Sequence, residues 1–422
     1  MKRNLLIALL AAVAMTSWAQ VNPTSALVGS WSGKLDVGSM TLTIVLKLEQ
    51  ADGYVKVTMD SPDQAVQGLS AKKECLTDDS LAVKVESLGI TYCARLKDGK
   101  LDGTFTQMGF TAPLVLAKEE LKRPQHPQPP YPYTTEEVSF RNERDSATLA
   151  GTICWPVGYN PKAKKKPAVV LFISGSGPEN RDEEIYDHKP FLVIADYLAR
   201  QGIASLRYDD RAFGASKGGD LQNATSEDFA RDAAAGLEYL RSRKAFGKVG
   251  VIGHSEGGLI GFILGAQGLT DFLVSLAGTG VKGDTLSASQ YNRSMELMGM
   301  SASKAAGEIR QEERIQKSPW LRWFVDYDPS ENISKTKCPV FALNGDLDWQ
   351  VISSLNLPGI ERNLPKKKKN RIKEYPGLNH LFQHCTTGAT NEYRQIEETI
   401  SPEVLKDIAD WINGLGKIKK RK

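Results

Sequence analysis

The sequence predicts a small all-β domain followed by a doubly wound α/β domain with a mostly parallel sheet. Three observations carry this prediction. Residues 27–117 contain short apolar runs with a period of two and no helical periodicity. A segment with five prolines in ten residues follows at 123–132. Beyond it, buried-type strands alternate with helical patterns, which is typical of a parallel sheet covered by helices.

The all-β domain is expected over residues 23–120. Its clearest strand runs from Met40 to Leu48, where every second residue is apolar and expected to face inward. Further short runs recur about every ten residues, with Gly, Asp, Pro and Lys between them; they lie at 54–59, 81–85, 90–96, 101–105 and 114–116. This pattern predicts a β-sandwich or a small barrel.

Residues 121–133 are expected to be a stiff, extended linker, because proline favours extended backbone. The α/β domain then spans 134–422. It is expected to open with a hairpin, continue with strands at 167–174, 203–208, 249–253, 272–277, 340–344 and 371–375, and contain helices at 191–200, 226–243, 256–266 and 402–415. The stretch 284–327 interrupts the alternation, and we expect it to form a helical cap over the site.

The first nineteen residues have the pattern of a secretory signal peptide. Lys2 and Arg3 precede an apolar run from Leu5 to Met15, and Ala19 offers a cleavage site before Gln20. The run is too short to span a bilayer, and no cysteine follows the cleavage site to carry a lipid anchor. We therefore expect export to the periplasm or the medium, without stable membrane insertion.

Composition and charge argue against a nucleic-acid partner. The chain has 422 residues, of which 41% are hydrophobic and 25% charged, and its formal net charge is +4. Loss of Lys2 and Arg3 with the signal peptide would lower that charge to +2. Two basic runs, at 366–369 and 417–422, are interpreted as solvated surface. No pattern predicts an oligomeric state.

Five cysteines are dispersed along the chain without the paired spacing of a zinc site. After export, one or two disulfides could form. Cys75 and Cys93, both near predicted strands of the β domain, are the pair that we expect to bridge.

The motif G-x-S-x-G, which surrounds the nucleophile of many serine hydrolases, occurs twice. A nucleophile elbow needs a buried strand before the serine and a helix directly after it. Ser255 has both, since Val249–Gly253 precedes it and a glycine-rich apolar helix follows. Ser216 lies in a polar loop and is interpreted as a turn residue. Ser255 is therefore the predicted nucleophile.

A serine hydroxyl needs a base, and the chain has only five histidines. His126 lies in the linker, His188 precedes a predicted helix, and His254 lies in the elbow. His380 follows the last predicted strand, where this arrangement places its base. His384 is interpreted as a surface or supporting residue.

The orienting acid is expected in the loop after the preceding strand, where Asp346 and Asp348 both stand. The longer reach from the strand end favours Asp348. The backbone N–H groups of Glu256 and Ser176 are the predicted oxyanion donors, because the glycine-rich loop 174–178 follows the first buried parallel strand. No GxGxxG or Walker motif or metal-ligand spacing predicts a cofactor or metal.

With these residues located, the chain resembles α/β-hydrolase esterases of the bacterial EstD-like group, which carry an extra N-terminal β domain. The resemblance extends over the whole mature chain. It is carried by the segments Ser174–Asp182, Arg207–Gly214, Gly253–Gly258, Gly345–Val351 and Gly377–His380. It implies the α/β-hydrolase fold and hydrolysis of a small-molecule carboxylic ester by Ser255, Asp348 and His380. The chain departs from related hydrolases at Ala212-Phe213, where a glycine often follows the arginine.

Three functions are compatible with these residues. We expect an esterase that acts on small or acylated carbohydrate-type esters. A serine peptidase of the aminopeptidase or dipeptidyl-peptidase type is the alternative, since fold does not determine substrate; no anchor for a free amine is evident in the sequence. A catalytically inactive binding protein is disfavoured by the complete set of candidate residues.

Overall fold

A computed structural model describes residues 26–38, 40–51, 54–64, 66–297, 299–315 and 318–416. The predicted signal peptide, residues 1–19, and the basic tail 417–422 lie outside these ranges. The chain divides after Glu120 into two compact units. Within the described residues, no helix combines the length and hydrophobicity that a membrane span requires.

The first unit is a closed antiparallel barrel, which decides between the two predicted β architectures. Each strand pairs with the next, and β8 returns to pair with β1. Its strands within the described residues are β1 (Gly29–Asp36), β2 (Thr41–Ala51), β3 (Tyr54–Ser61), β4 (Val66–Leu76), β5 (Ser80–Val85), β6 (Ile90–Lys97), β7 (Lys100–Gln107) and β8 (Phe110–Glu119).

The barrel interior is filled by the alternate apolar side chains of its strands. Trp31 and Tyr92 are the largest of them, and the Trp31 indole donates to the Leu27 carbonyl oxygen at 2.8 Å. Two expectations for β2 were wrong. Met40 precedes the strand and is 48% exposed, whereas Val45 is buried on the outer face, over which the turn Pro62–Gln64 packs.

The predicted bridge between Cys75 and Cys93 was also wrong, because both side chains are free thiols. Cys75 lies on β4 and pairs with Ala82 of β5, which in turn pairs with Cys93 of β6. One strand therefore separates the two cysteines. Two strand spacings amount to about 9.5 Å, beyond the roughly 7 Å that a disulfide spans between Cα atoms.

The second unit is a doubly wound sheet of eight strands in the order β16-β15-β14-β13-β11-β12-β10-β9. The strands β9 and β10 form the predicted antiparallel hairpin, and all pairs from β12 to β16 are parallel. The strands are β9 (Thr135–Asn142), β10 (Ala147–Cys154), β11 (Val169–Ile173), β12 (Ala204–Tyr208), β13 (Val249–His254), β14 (Leu273–Leu276), β15 (Val340–Gly345) and β16 (Arg371–Tyr375).

Helices cover both faces of this sheet, as predicted. The helices of at least 11 residues are α1 (Pro190–Arg200), α2 (Ser226–Ser242), α3 (Glu256–Gln267), α4 (Gly283–Leu297), α8 (Ser353–Asn363) and α10 (Pro402–Leu415). The shorter helices are α5 (Ala306–Arg314), α6 (Pro319–Asp326), α7 (Ser330–Ser334) and α9 (Thr390–Tyr393). The sequence explains where several begin: Pro190 and Pro402 occupy first-turn positions, and the Thr225 amide donates to the Asp228 carboxylate at 2.8 Å.

Residues 121–133, expected to be an extended linker, are bound to the second unit. The Arg123 guanidinium donates to the carbonyl oxygens of Arg394 at 2.7 Å and Asp187 at 3.1 Å. The Gln125 side-chain oxygen accepts the Ile400 amide at 3.0 Å. These contacts order the segment because its polar side chains satisfy backbone groups at loop ends.

Candidate active site

The turn between β13 and α3 has the strained geometry of a nucleophile elbow. Ser255 adopts φ 53° and ψ −115°, a conformation that costs a non-glycine residue about 1–3 kcal/mol. Close packing explains the flanking glycines. A Cβ at Gly253 would lie 2.0 Å from the Gly257 carbonyl oxygen, and one at Gly257 would lie 2.0 Å from the Ile173 carbonyl oxygen. Only glycine fits at either position.

The second G-x-S-x-G copy has a different structural role. The Ser216 hydroxyl donates to the Asp209 carbonyl oxygen at 2.7 Å and accepts the Ala150 amide at 2.9 Å. It is buried, and both of these hydrogen bonds are made with backbone groups of the protein. Ser216 joins its loop to β10, in agreement with its interpretation as a turn residue.

The loops after β15 and β16 bring Asp348 and His380 into direct contact. Asp348 Oδ2 lies 2.7 Å from His380 Nδ1, and both side chains are buried. The other oxygen, Asp348 Oδ1, accepts the Gln350 and Val351 amides at 2.8 and 2.9 Å, which fixes the carboxylate. Asp346 instead accepts the Gly377 amide at 2.6 Å and is exposed. It ties the two loops together without contacting a histidine.

A buried polar network holds the His380 loop in shape. Asn379 accepts the Leu381 and Gln383 amides at 3.0 Å and donates to the Gln383 side-chain oxygen at 2.9 Å. The Gln383 amide nitrogen lies 2.9 Å from His188 Nε2. Burial lowers the pKa of His188 to about 3, so its ring is neutral at physiological pH. This supporting role of His188 was not predicted, because its partners lie about 200 residues away along the chain.

Two further histidines, His126 and His384, pair with groups other than the nucleophile. Burial lowers the pKa of His126 to about 4, and its ring accepts the Lys189 amide at 3.2 Å. His384 is exposed and pairs with Glu398 at 2.7 Å, as expected for a surface residue.

Ser255 opens into a cavity of about 110 Å³ that the cap helices enclose. Ser176 and Glu256, the predicted oxyanion donors, line this cavity together with the nucleophile. The helices α4, α5 and α6, together with Thr279 from the loop after β14, contribute the remainder of its wall, so helices of the stretch 284–327 line this cavity. A second, more apolar cavity of about 370 Å³ shares Ser176, Trp320 and Leu321 with the first.

The side chain of Glu256 connects the elbow to the cap. Its Oε1 atom accepts the Ser226 hydroxyl at 2.6 Å and the Trp320 indole N–H at 2.8 Å. Burial raises the pKa of this carboxyl to about 7, although both hydrogen bonds act in the opposite direction. If residue 256 contributed only its backbone N–H to the oxyanion, an apolar side chain would be sufficient at this position. The buried Glu256 carboxyl therefore indicates a second role, which is to anchor Trp320.

Buried charges anchor the loop that carries Ser176. The Glu179 amide donates to Asp210 Oδ2 at 2.9 Å, and the Ser174 hydroxyl donates to Asp210 Oδ1 at 3.1 Å. Arg181 binds Asp209 through Nη2 at 2.9 Å, and Arg207 pairs with Asp182. The segments 179–182 and 207–214, which resemble those of related hydrolases, thus form one network.

Glu183 and His254 form a second histidine–carboxylate pair that the sequence analysis missed. Glu183 Oε1 lies 2.9 Å from His254 Nδ1 and also accepts the Gly175 amide at 3.0 Å. His254 Nε2 lies 3.0 Å from the His380 carbonyl oxygen, and the two rings are 4.6 Å apart. Because Glu183 is 71 residues from His254, no local pattern could have linked them.

The chain is similar to one protein family and to a named esterase. Residues 187–329 match the family described as "Serine aminopeptidase, S33". Esterase EstD of Thermotoga maritima is 26% identical over 330 residues, covering 75% of this chain and 74% of that protein.

Two solved structures are also similar. Est1E of Butyrivibrio proteoclasticus, determined with ferulic acid bound, is 16% identical and aligns with 66% of this chain and 97% of its own at a TM-score of 0.44. The Pyrococcus furiosus esterase Pf2001 is 17% identical and aligns with 67% of this chain and 90% of its own at a TM-score of 0.45.

The fold and the site define a serine hydrolase of the α/β-hydrolase class. Within that class the chain is similar to the esterase EstD; it is a carboxylic ester hydrolase with a β-barrel domain before its α/β domain.

Proposed function

We propose that the protein hydrolyses carboxylic esters through an acyl-enzyme on Ser255. The observation that carries the proposal is the 2.7 Å contact between Asp348 Oδ2 and His380 Nδ1, beside a strained elbow that presents Ser255 to a cavity. This contact fixes the imidazole tautomer so that Nε2 is the basic nitrogen. The fixed Asp348 carboxylate also stabilises the imidazolium that forms when the base takes a proton.

In the proposed reaction, His380 Nε2 takes the Ser255 hydroxyl proton as Oγ attacks the acyl carbon. The Ser176 and Glu256 backbone N–H groups stabilise the oxyanion of the tetrahedral intermediate. His380 then protonates the departing alcohol, which leaves an acyl group on Ser255. A water molecule, activated by His380, attacks the acyl carbon and releases the acid and the free enzyme.

A peptidase is the second candidate, because the matched family is described as a serine aminopeptidase. Two carboxyl groups line the cavity, from Glu256 and Glu313, and an acidic group there could bind a free amine. Turnover of p-nitrophenyl acyl esters against aminoacyl p-nitroanilides decides between the two. Efficient ester cleavage with little anilide cleavage is expected; preferential anilide cleavage would reverse the proposal.

We also propose that the enzyme acts after export. Support comes from the signal-peptide pattern of residues 1–19 alone. N-terminal sequencing of the protein recovered from the periplasm or medium should begin at Gln20. An intact Met1 in a cytoplasmic fraction would contradict export.

A further inference from the structure

The wall of the small cavity beside Ser255 is more polar than an acyl pocket for a simple hydrocarbon chain requires. Leu286, Leu321 and Phe324 supply its apolar surface, but Thr279, Gln290 and Glu313 also line it. No Lys, Arg or His lines this cavity among the described residues. A ligand there meets hydrogen-bonding groups without a positive charge.

Two polar atoms of this wall have no hydrogen-bond partner among the described residues. The Thr279 side chain is 2% exposed, and its Oγ1 atom is buried and unpaired. Glu313 Oε2 is likewise buried and has no partner in hydrogen-bonding geometry, although the Ser287 hydroxyl lies close enough to this carboxyl to act against the rise of its pKa. An unsatisfied buried polar atom destabilises the fold, so two of them in one cavity indicate a ligand group that pairs with them.

The chemistry of the two atoms restricts that ligand group. A carboxylate oxygen accepts a hydrogen bond, whereas a threonine hydroxyl both donates and accepts. A hydroxyl can donate to Glu313 and accept from Thr279 at the same time, but an ammonium has no acceptor for the Thr279 proton. Burial raises the pKa of the Glu313 carboxyl. A carboxyl that ionises less readily favours a cationic ligand group over a neutral one less strongly.

The position of the cavity indicates which part of the ester enters it. Ser255 lies on its wall, and the acyl group is the part that stays bound to Ser255 through the reaction. The larger apolar cavity touches Ser176 but not Ser255, so it suits the departing alcohol. A volume of about 110 Å³ limits the acyl group to a few heavy atoms, since a water occupies about 30 Å³ in the liquid.

We propose that the enzyme selects esters of short hydroxyacids, whose acyl hydroxyl is bound by Thr279 Oγ1 and Glu313 Oε2. This inference rests on the proposed esterase function and narrows its substrate class.

Three ethyl esters that differ at one terminal group test it: ethyl butyrate (CH3), ethyl 3-hydroxypropanoate (OH) and β-alanine ethyl ester (NH3+). Initial rates follow from acid release in a pH-stat, with each kcat/KM divided by the hydroxide-catalysed rate constant of the same ester. We expect this corrected kcat/KM to be about tenfold higher for the hydroxy ester than for ethyl butyrate. An acyl group without the hydroxyl leaves the two buried polar groups unpaired.

Two variants connect that preference to the named atoms. In Thr279→Val and in Glu313→Leu, the ratio of hydroxy ester to ethyl butyrate should fall towards one, while ethyl butyrate turnover persists. Glu312→Leu is the matched control, because Glu312 lies on the same helix, is exposed and pairs with Lys304. It should retain the tenfold ratio. Two independent variants keep the test valid if Glu313→Leu folds poorly.

The outcomes separate this inference from the proposed function. Hydrolysis of ethyl butyrate that depends on Ser255, without a hydroxyl preference, would overturn the inference alone. A preference for β-alanine ethyl ester would overturn it in favour of an ammonium site. Failure to hydrolyse any of the three esters, or hydrolysis that survives Ser255→Ala, would overturn the proposed function itself.

Discussion

Glu183 Oε1 lies 2.9 Å from His254 Nδ1 in the protein interior, while His254 Nε2 faces the carbonyl oxygen of His380 at 3.0 Å. Both ring nitrogens therefore face acceptors, which only an imidazolium satisfies in full. Burial by itself lowers the pKa of His254, but the Glu183 carboxylate and the His380 carbonyl outweigh it, and the pKa is raised. One hydrogen-bonded pair thus joins the elbow, the Gly175 loop and the backbone of the candidate base.

Removal of the negative charge of Glu183 should displace His380. In Glu183→Gln, kcat should fall by up to about 100-fold with little change in KM, because small displacements of a base cost about that much. The NMR titration of His254 should also shift to lower pH in the variant. The control is Glu184→Gln, since Glu184 pairs with Lys189 at the surface. Normal kcat with an unchanged His254 titration would show that the pair does not position His380.

The second prediction concerns the effect of Asp210 on how the free energy of unfolding depends on pH. Burial raises the pKa of this carboxyl to about 8, against an ordinary value of 3.8, although the Glu179 amide and the Ser174 hydroxyl act in the opposite direction. Between those pH values the unfolded chain releases a proton that the folded chain retains. The free energy of unfolding therefore decreases as pH rises from about 4 to 8, on the order of a few kcal/mol.

Asp210→Asn abolishes this titration and keeps an acceptor for both hydrogen bonds. The variant should gain stability relative to the wild type as pH rises through that window, measured as the difference in Tm at pH 5 and pH 8. Asp220→Asn, at an exposed acid, should leave the pH dependence unchanged. Parallel Tm curves for Asp210→Asn and wild type would contradict a raised pKa at Asp210.

Ala212 occupies a conformation that suits glycine. Its φ is 54°, in the left-handed region, where an L-residue loses roughly 1 kcal/mol relative to glycine. We expect Ala212→Gly to raise the free energy of unfolding by about 0.5–1 kcal/mol in urea titrations. Ala234→Gly, inside α2, should lower it by a similar amount; destabilisation by both changes would rule out strain at Ala212.

The elements that sequence predicted best are those whose signal is local. β16 and α10 have the predicted bounds, because Pro376-Gly377 ends β16 and the amphipathic period of α10 begins at Pro402. The barrel strands β1 and β4 were missed. β1 is rich in Gly and Ser, and β4 has polar residues on both faces and a register shift near Cys75, so neither alternates cleanly.

The candidate site divides in the same way. Ser255, Asp348 and His380 follow strands whose carboxyl ends meet at one sheet edge, so position along the chain was enough to select them as candidates. The partners that hold them could not be predicted. Glu183, His188 and Trp320 reach the site from segments remote in sequence, and each contact depends on tertiary packing.

The two G-x-S-x-G serines should respond oppositely to substitution. Ser255→Ala should reduce p-nitrophenyl ester turnover by about 10⁴ or more and leave Tm nearly unchanged, since only the reacting oxygen is removed. Ser216→Ala should lower the free energy of unfolding by about 1–3 kcal/mol, because the Ala150 amide loses its acceptor, yet keep most activity per folded molecule. Full turnover in folded Ser255→Ala would refute the assignment of the nucleophile.

Asp348 and Asp346 offer a matched comparison, because they lie two residues apart in one loop. Asp348 contacts His380 Nδ1, so Asp348→Asn should present the wrong imidazole tautomer and lower kcat by roughly 10⁴ with little change in KM. The Asp346 carboxylate accepts the Gly377 amide, which an asparagine oxygen can also accept, and Asp346→Asn should lower kcat less than tenfold. Both kcat values should be measured on one ester, with circular dichroism to verify folding. If Asp346→Asn were the inactive variant, the orienting role would belong to Asp346, and the contact between Asp348 and His380 would have no catalytic consequence.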